Sequence, residues 1–110
     1  MKILLNKGYG AFTITKFMRK EMALMGSDLL ANHPDNYVSD DITDEVRRDK
    51  ALISLVQEVI ANTVVPDYVK KSWIGDIQVA KFSCTDEELK HLKIEDYDGF
   101  ERVVIVKVLA

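Results

Sequence analysis

The chain has 110 residues, 47% of them hydrophobic and 30% charged, which is enough for one modest core and is not the composition of a disordered segment. A formal net charge of −3 gives no reason to expect a nucleic-acid backbone or an anionic membrane as the main partner, so direct nucleic-acid binding is not expected. The lone cysteine, Cys84, excludes an internal disulfide and fits a reducing cytoplasm, and no apolar run approaches the roughly 18 residues of a membrane span. The opening Met1-Lys2-Ile3-Leu4-Leu5 starts like a signal peptide, but Asn6, Lys7 and Gly8 cut its apolar part short.

Residues 2–5 read as a first strand. Asn6-Lys7-Gly8-Tyr9-Gly10-Ala11-Phe12 follows, a loop whose paired glycines admit positive φ and feed the next helix. That helix is expected over 14–25, capped by Thr13 or Thr15, burying Phe17, Met18, Met22 and Met25 and turning Arg19, Lys20 and Glu21 to solvent, with Gly26 as its stop. Residues 27–43 have no clear period and are rich in turn formers, a connection longer than compact domains usually carry. A second helix follows, capped by Asp49 or, if it starts earlier, by Thr43. Ala51, Leu52, Ile53, Leu55, Val56, Val59 and Ile60 form its wide apolar face.

Val64, Val65 and Pro66 end that helix, and 68–73 has room for a short helical turn. Residues 77–83 alternate as a strand. Thr85 and Glu88 stand in the capping-box arrangement before a single turn. Strands are expected at 92–97 and 101–109, joined by the tight-turn pair Asp98-Gly99. The whole is a single α+β domain over 1–110. It is expected to have two layers in the order β-α-α-β-β-β, with a mostly antiparallel sheet covered by two helices on one face.

Three clusters hold the candidate binding residues. In the glycine loop, Asn6, Lys7, Tyr9 and Phe12 serve either a packed corner, with Tyr9 and Phe12 plugging the core edge, or a seat where backbone N–H groups and Lys7 receive an anion. The spacing is not that of a phosphate-binding or dinucleotide loop. Arg47 and Arg48 either grip a carboxylate or phosphate bidentately or pair at the surface with Asp40, Asp41, Asp44 and Glu45. Those acids lack the ligand ladder of a calcium loop and read as a solvated acidic face that can meet a basic partner. Tyr97, Phe100 and Glu101 flank the last turn, where aromatics either cap the sheet end or stack on a partner. His33, His91 and Cys84 show no ligand or nucleophile spacing, so no metal, cofactor or catalytic residue is assigned.

Taken together, three segments carry a resemblance. They are Asn6 to Phe12, then Arg47-Arg48-Asp49-Lys50 with Leu52-Ile53-Ser54-Leu55-Val56-Gln57-Glu58, then Ile94-Glu95-Asp96-Tyr97-Asp98-Gly99-Phe100-Glu101. The chain resembles small bacteriophage-encoded proteins of unassigned role. These open on Asn-Lys-x-Tyr-Gly-Gly-Phe, place Arg-x-Asp-Pro before a Leu-Ile-x-Val-Val-Glu helix, and end on Ile-x-x-Tyr-Asp-Gly-x-Glu. Ala11 stands where they have glycine, Lys50 where they have proline, and their aromatic tail is missing. The resemblance implies a phage accessory protein in the host bacterial cytoplasm and brings no activity with it. The leading expectation is a non-enzymatic binder that modulates or inhibits a host protein, one connected with defence being an option. A binder that sequesters a nucleotide-type small anion is the alternative, and an enzyme has the least support. Self-association through an edge strand at 2–5 or 101–109 is a further option.

Overall fold

Ile3, Leu4 and Leu5 are all buried, so the first strand, β1 (Lys2–Asn6), must be covered on both of its faces. The computed structural model, which describes residues 1–97 and 100–105, shows how. β1 pairs antiparallel with β2 (Ile77–Lys81), Leu4 opposite Val79 and Asn6 opposite Ile77. Leu4, Ile77 and Val79 share one face and pack into the helices. Ile3, Leu5 and Ala80 share the other and pack on Leu92, Ile94 and Val103 of a second ribbon. That ribbon is β3 (Leu92–Tyr97) paired antiparallel with β4 (Phe100–Ile105).

The fold is α+β. It differs in detail from the expected single sheet, because the described strands form two separate two-stranded antiparallel ribbons. The Asp98-Gly99 turn and the end of the last expected strand, 106–109, lie outside the described residues. The helices α1 (Lys16–Leu24), α3 (Lys50–Ala61) and α4 (Asp67–Ile74) lie against one face of the β1–β2 ribbon, and α2 (Glu45–Arg48) precedes α3. A one-turn α5 (Asp86–Leu89) carries the expected Thr85–Glu88 capping box. Of the short helices beyond the β-α-α-β-β-β order, α4 and α5 fall at the helical turns expected around 68–73 and after Thr85, and α2 is additional.

Local chemistry accounts for these boundaries. Asp44 caps α2 through Val46 N–H at 2.8 Å, and Asp49 caps α3 through Leu52 N–H at 2.8 Å. The extended backbone of Asp49 separates the two helices and turns their axes. Thr43, the alternative cap, instead donates its hydroxyl to the Asp41 carboxylate. Pro66 starts α4, where its missing N–H costs nothing. Thr15 caps α1 and also donates its hydroxyl to the Trp73 carbonyl, while Phe17 stacks on Trp73 with ring centroids 4.8 Å apart, so α1 is locked to α4.

Met18 and Met22 are buried as expected, whereas Met25, which follows the end of α1, and Ile60 are exposed. Arg19 is half-buried and does not simply project into solvent. Its guanidinium donates to the carbonyls of Leu30, His33, Pro34 and Asp35 and to Asn36 Oδ1, and so ties the 27–43 connection to α1. Asp49→Ala is expected to lower stability by about 1 kcal/mol, the usual cost of losing an N-cap. Chemical denaturation monitored by circular dichroism measures it, with Asp49→Ser retaining most of the stability.

Candidate functional site

The three sequence clusters meet at one buried ion pair. Arg47 and Glu101 are 0% and 2% exposed, and the guanidinium grips the carboxylate bidentately, Nη1 to Oε1 and Nη2 to Oε2, both at 2.8 Å. Arg47 reaches this position from α2, and Glu101 from β4, where strand alternation turns Glu101 inward and Phe100 outward. Arg47 Nε donates to the Ser39 carbonyl at 2.6 Å, and its guanidinium lies over the Phe12 ring, 4.8 Å from the centroid. Asp40 Oδ1 lies 3.7 Å from Nη2 at the exposed mouth of the pair. Arg47 is thus buried and not at the surface, and of the acids of 40–45 Asp40 is the one that approaches it. Burying a charge demands a full set of partners, and these supply them.

The pair also closes a sheet edge. The exchanges between Met1 and Phe82 and from Lys7 N–H to Asp76 O place the odd-numbered residues of β1 on the β2 side. Leu4 and Asn6 therefore turn their backbone groups to the other edge. There Arg47 Nη1 donates to Leu4 O at 3.1 Å and Asn6 N–H donates to Glu101 Oε1 at 2.6 Å. A cation and an anion from distant elements do the work of a neighbouring strand. On the β1 edge, one of the two expected for self-association, Leu4 O and Asn6 N–H are thus occupied by side chains.

Asn6 joins this network to the glycine loop. Its Nδ2 donates to Gly10 O at 2.7 Å, and its Oδ1 accepts from Gly8 N–H at 3.2 Å. Gly10 has φ +84°, and a Cβ on Gly8 would run into the Asp76 side chain, so both glycines are dictated by the turn. Lys7 Nζ donates to the Glu101 carbonyl at 2.6 Å. Lys7 is thus engaged and the Asp76 carboxylate lies against Gly8, while Tyr9, Gly10 and Ala11 are exposed. Phe12 plugs the core as expected, but Tyr9 does not. It is 88% exposed and meets the half-exposed Phe100 edge-on, ring centroids 6.5 Å apart.

Asn6, Phe12, Arg47 and Glu101 thus belong to the interior, and Tyr9, Phe100 and Asp40 surround it at the surface. The Tyr97 side chain lies outside the described residues. Asp41 accepts from the backbone N–H of Thr43 at 2.8 Å and from its hydroxyl at 2.8 Å, and these bonds hold its carboxyl below the usual aspartate value. Asp44 is occupied as a helix cap, and Arg48 points away from Arg47 into a hollow beside β1. Among the described residues, no three His, Cys, Asp or Glu side chains converge on a metal position, and no helix is long and apolar enough to cross a membrane. Sequence reading missed Arg19 and the cations Lys2, Lys50 and Lys81. Their positions depend on strand register and helix phase, and no local motif marks them.

No protein-family model, no curated protein and no solved structure matches this chain.

Arg47→Met or Glu101→Leu alone leaves one unpaired buried charge and is expected to cost about 3–5 kcal/mol. Urea denaturation checks this. The double variant should recover a large part of the loss, since no orphaned charge remains, although Leu4 O and Asn6 N–H still lose their partners.

Proposed function

We propose that this chain is a non-catalytic binding module whose contact surface is the Tyr9–Phe100 edge with the adjoining acidic segment of Asp40, Asp41, Asp44 and Glu45. The observation that carries this reading is the exposure of Tyr9 on a loop whose other residues are tied down. Asn6 folds the loop, Lys7 is bonded to β4, and Gly8 is packed on Asp76. An aromatic ring held outward on a rigid support loses little freedom on binding, and tyrosine is among the residues that dominate interface energies. Phe100 extends the same apolar edge, and Asp40 places a carboxylate beside the underlying ion pair. A protein partner with a basic rim and an apolar or aromatic pocket complements this surface.

The resemblance to bacteriophage proteins gives the reading its setting, a phage accessory protein that modulates or inhibits a host protein in the bacterial cytoplasm. Among the described residues no buried side-chain nitrogen or oxygen lacks a hydrogen-bond partner. The groups of the Arg47 network are committed to holding structure.

The test compares capture of host proteins from bacterial lysate by the wild type and by Tyr9→Ser/Phe100→Ser, with quantitative mass spectrometry. The wild type should retain a stoichiometric partner, and the variant should lose it, with affinity reduced about 30-fold or more, while melting at the same temperature. Undiminished capture by the variant overturns the aromatic edge as the contact surface. A second variant, Asp40→Asn/Asp41→Asn/Asp44→Ser/Glu45→Gln, separates the acidic segment from the aromatic edge, with Ser preserving the α2 cap. It should weaken capture and slow association.

A further inference from the structure

Among the described basic residues, Lys2, Lys16, Lys20, Arg48, Lys50, Lys81 and Lys93 carry no ion pair or side-chain hydrogen bond, and four of them, Lys2, Arg48, Lys50 and Lys81, lie near one another. Arg19, Arg47, Lys7, Lys70, Lys71, Lys90 and Arg102 are bonded to carbonyls or carboxylates. Among the described residues, Lys2, Arg48, Lys50 and Lys81 have no carboxylate within 4.0 Å and no side-chain hydrogen bond, and they gather where the start of the β1–β2 ribbon meets the first turns of α3. Lys2 and Lys81 are direct cross-strand partners on the same face, an arrangement in which like charges repel. In a chain of net charge −3 this is an unneutralised concentration of positive charge.

Three of these residues, Lys2, Arg48 and Lys50, border one hollow, and Lys81 lies across the strand pair from Lys2. Lys2, Arg48, Lys50, Ile53, Ser54 and Gln57 line a space of about 460 Å³, within the range of small-ligand sites. Lys50, Ser54 and Gln57 recur at helical spacing on one face of α3, and the side chains of Ser54 and Gln57 also make no hydrogen bond to the protein. Gln57 borders a second hollow of about 760 Å³, which Lys81 also lines, together with Asp67 and Asp76. There Lys71 is paired with Asp76 and Lys70 is bonded to the Ile60 carbonyl. Beyond Gln57 the cations Lys70, Lys71 and Lys81 are therefore interleaved with Asp67 and Asp76, whereas no carboxylate lines the first hollow. The two carboxylates oppose a long polyanion.

We propose that this hollow binds a small phosphorylated ligand of the nucleoside-polyphosphate type. Lys2, Arg48 and Lys50 meet the phosphates, Lys81 adds positive charge from beside Lys2, and Ser54 and Gln57 offer a hydroxyl and an amide to the sugar or base. Arginine and lysine ends carry phosphate through charge-assisted hydrogen bonds, and the bound phosphates relieve the Lys2–Lys81 repulsion. None of these residues belongs to the aromatic edge, so this site stands or falls separately from it.

Isothermal titration calorimetry at about 50 mM salt, low enough to limit screening, tests the proposal with ATP, pyrophosphate, adenosine and a thymidylate 20-mer. ATP and pyrophosphate should bind one to one, adenosine should not, and added salt should weaken both. Arg48→Glu, Lys50→Glu and Lys2→Glu should each weaken ATP binding about tenfold or more. Their melting temperatures should stay at or above the wild-type value, since none of these side chains is bonded within the protein and Lys2→Glu opposes Lys81 with a carboxylate. Absence of saturable heat with both ATP and pyrophosphate overturns the proposal. So does unchanged ATP affinity in the folded charge-reversal variants, or a 20-mer that binds far more tightly than ATP, which marks a polymer track instead of a small-ligand site.

Discussion

The Arg47–Glu101 pair holds the architecture together because it solves the problem of an open sheet edge inside a small protein. β1 is hydrogen-bonded to β2 on one side, and its other side presents Leu4 O and Asn6 N–H. An unpaired edge invites another strand, from this chain or another copy. Here a guanidinium supplies the donor and a carboxylate the acceptor, and each comes from an element distant in sequence. The same two side chains pin α2 and β4 against β1, so one ionic contact joins the helical layer, the first ribbon and the second ribbon.

Such a pair is not justified by its net stabilisation, since desolvation of two charges offsets much of their attraction. Its value lies in directionality. Apolar residues at 47 and 101 would tolerate sliding of β4 along β1, whereas a bidentate fork that also meets Ser39 O, Leu4 O and Asn6 N–H accepts one placement. Phe12 under the guanidinium adds a flat apolar floor that excludes water. The long 27–43 connection is fixed by the same means, with Arg47 holding Ser39 and Arg19 holding residues 30–36. Two arginines thus order a segment whose composition gives it no regular structure of its own.

Much of the fold was legible locally. The β1, α1 and β3 segments, the Asp49 cap, the Thr85–Glu88 box and the apolar face of α3 all follow from period and capping chemistry within a few residues. The splitting of the sheet into two ribbons was not legible, because it depends on side chains replacing a strand, and no periodicity encodes that. The candidate site was legible as a set of unusual residues but not in its roles. Asn6, Arg47 and Glu101 stand out in sequence for the same reason that ligand-binding residues do, being polar groups beside apolar runs. Only their convergence shows that they recognise one another. Arg48, adjacent to Arg47 in sequence, is separated from it by helix phase and faces an open hollow instead of the interior.

The consequence of that convergence is a division of labour between inside and outside. Because the buried polar groups satisfy each other, the chemistry left for partners is carried by what the framework pushes outward. Tyr9 leaves the loop that Asn6 folds, Phe100 leaves the strand that Glu101 anchors, and Arg48 leaves the helical turn that Arg47 anchors. In each case a residue held inside fixes the direction of its neighbour outside, with one peptide unit, or three in the loop, as the lever. A displacement of the ion pair would therefore reach the aromatic edge and the basic hollow together. The two surfaces share a mechanical origin even though their ligand chemistry is opposite.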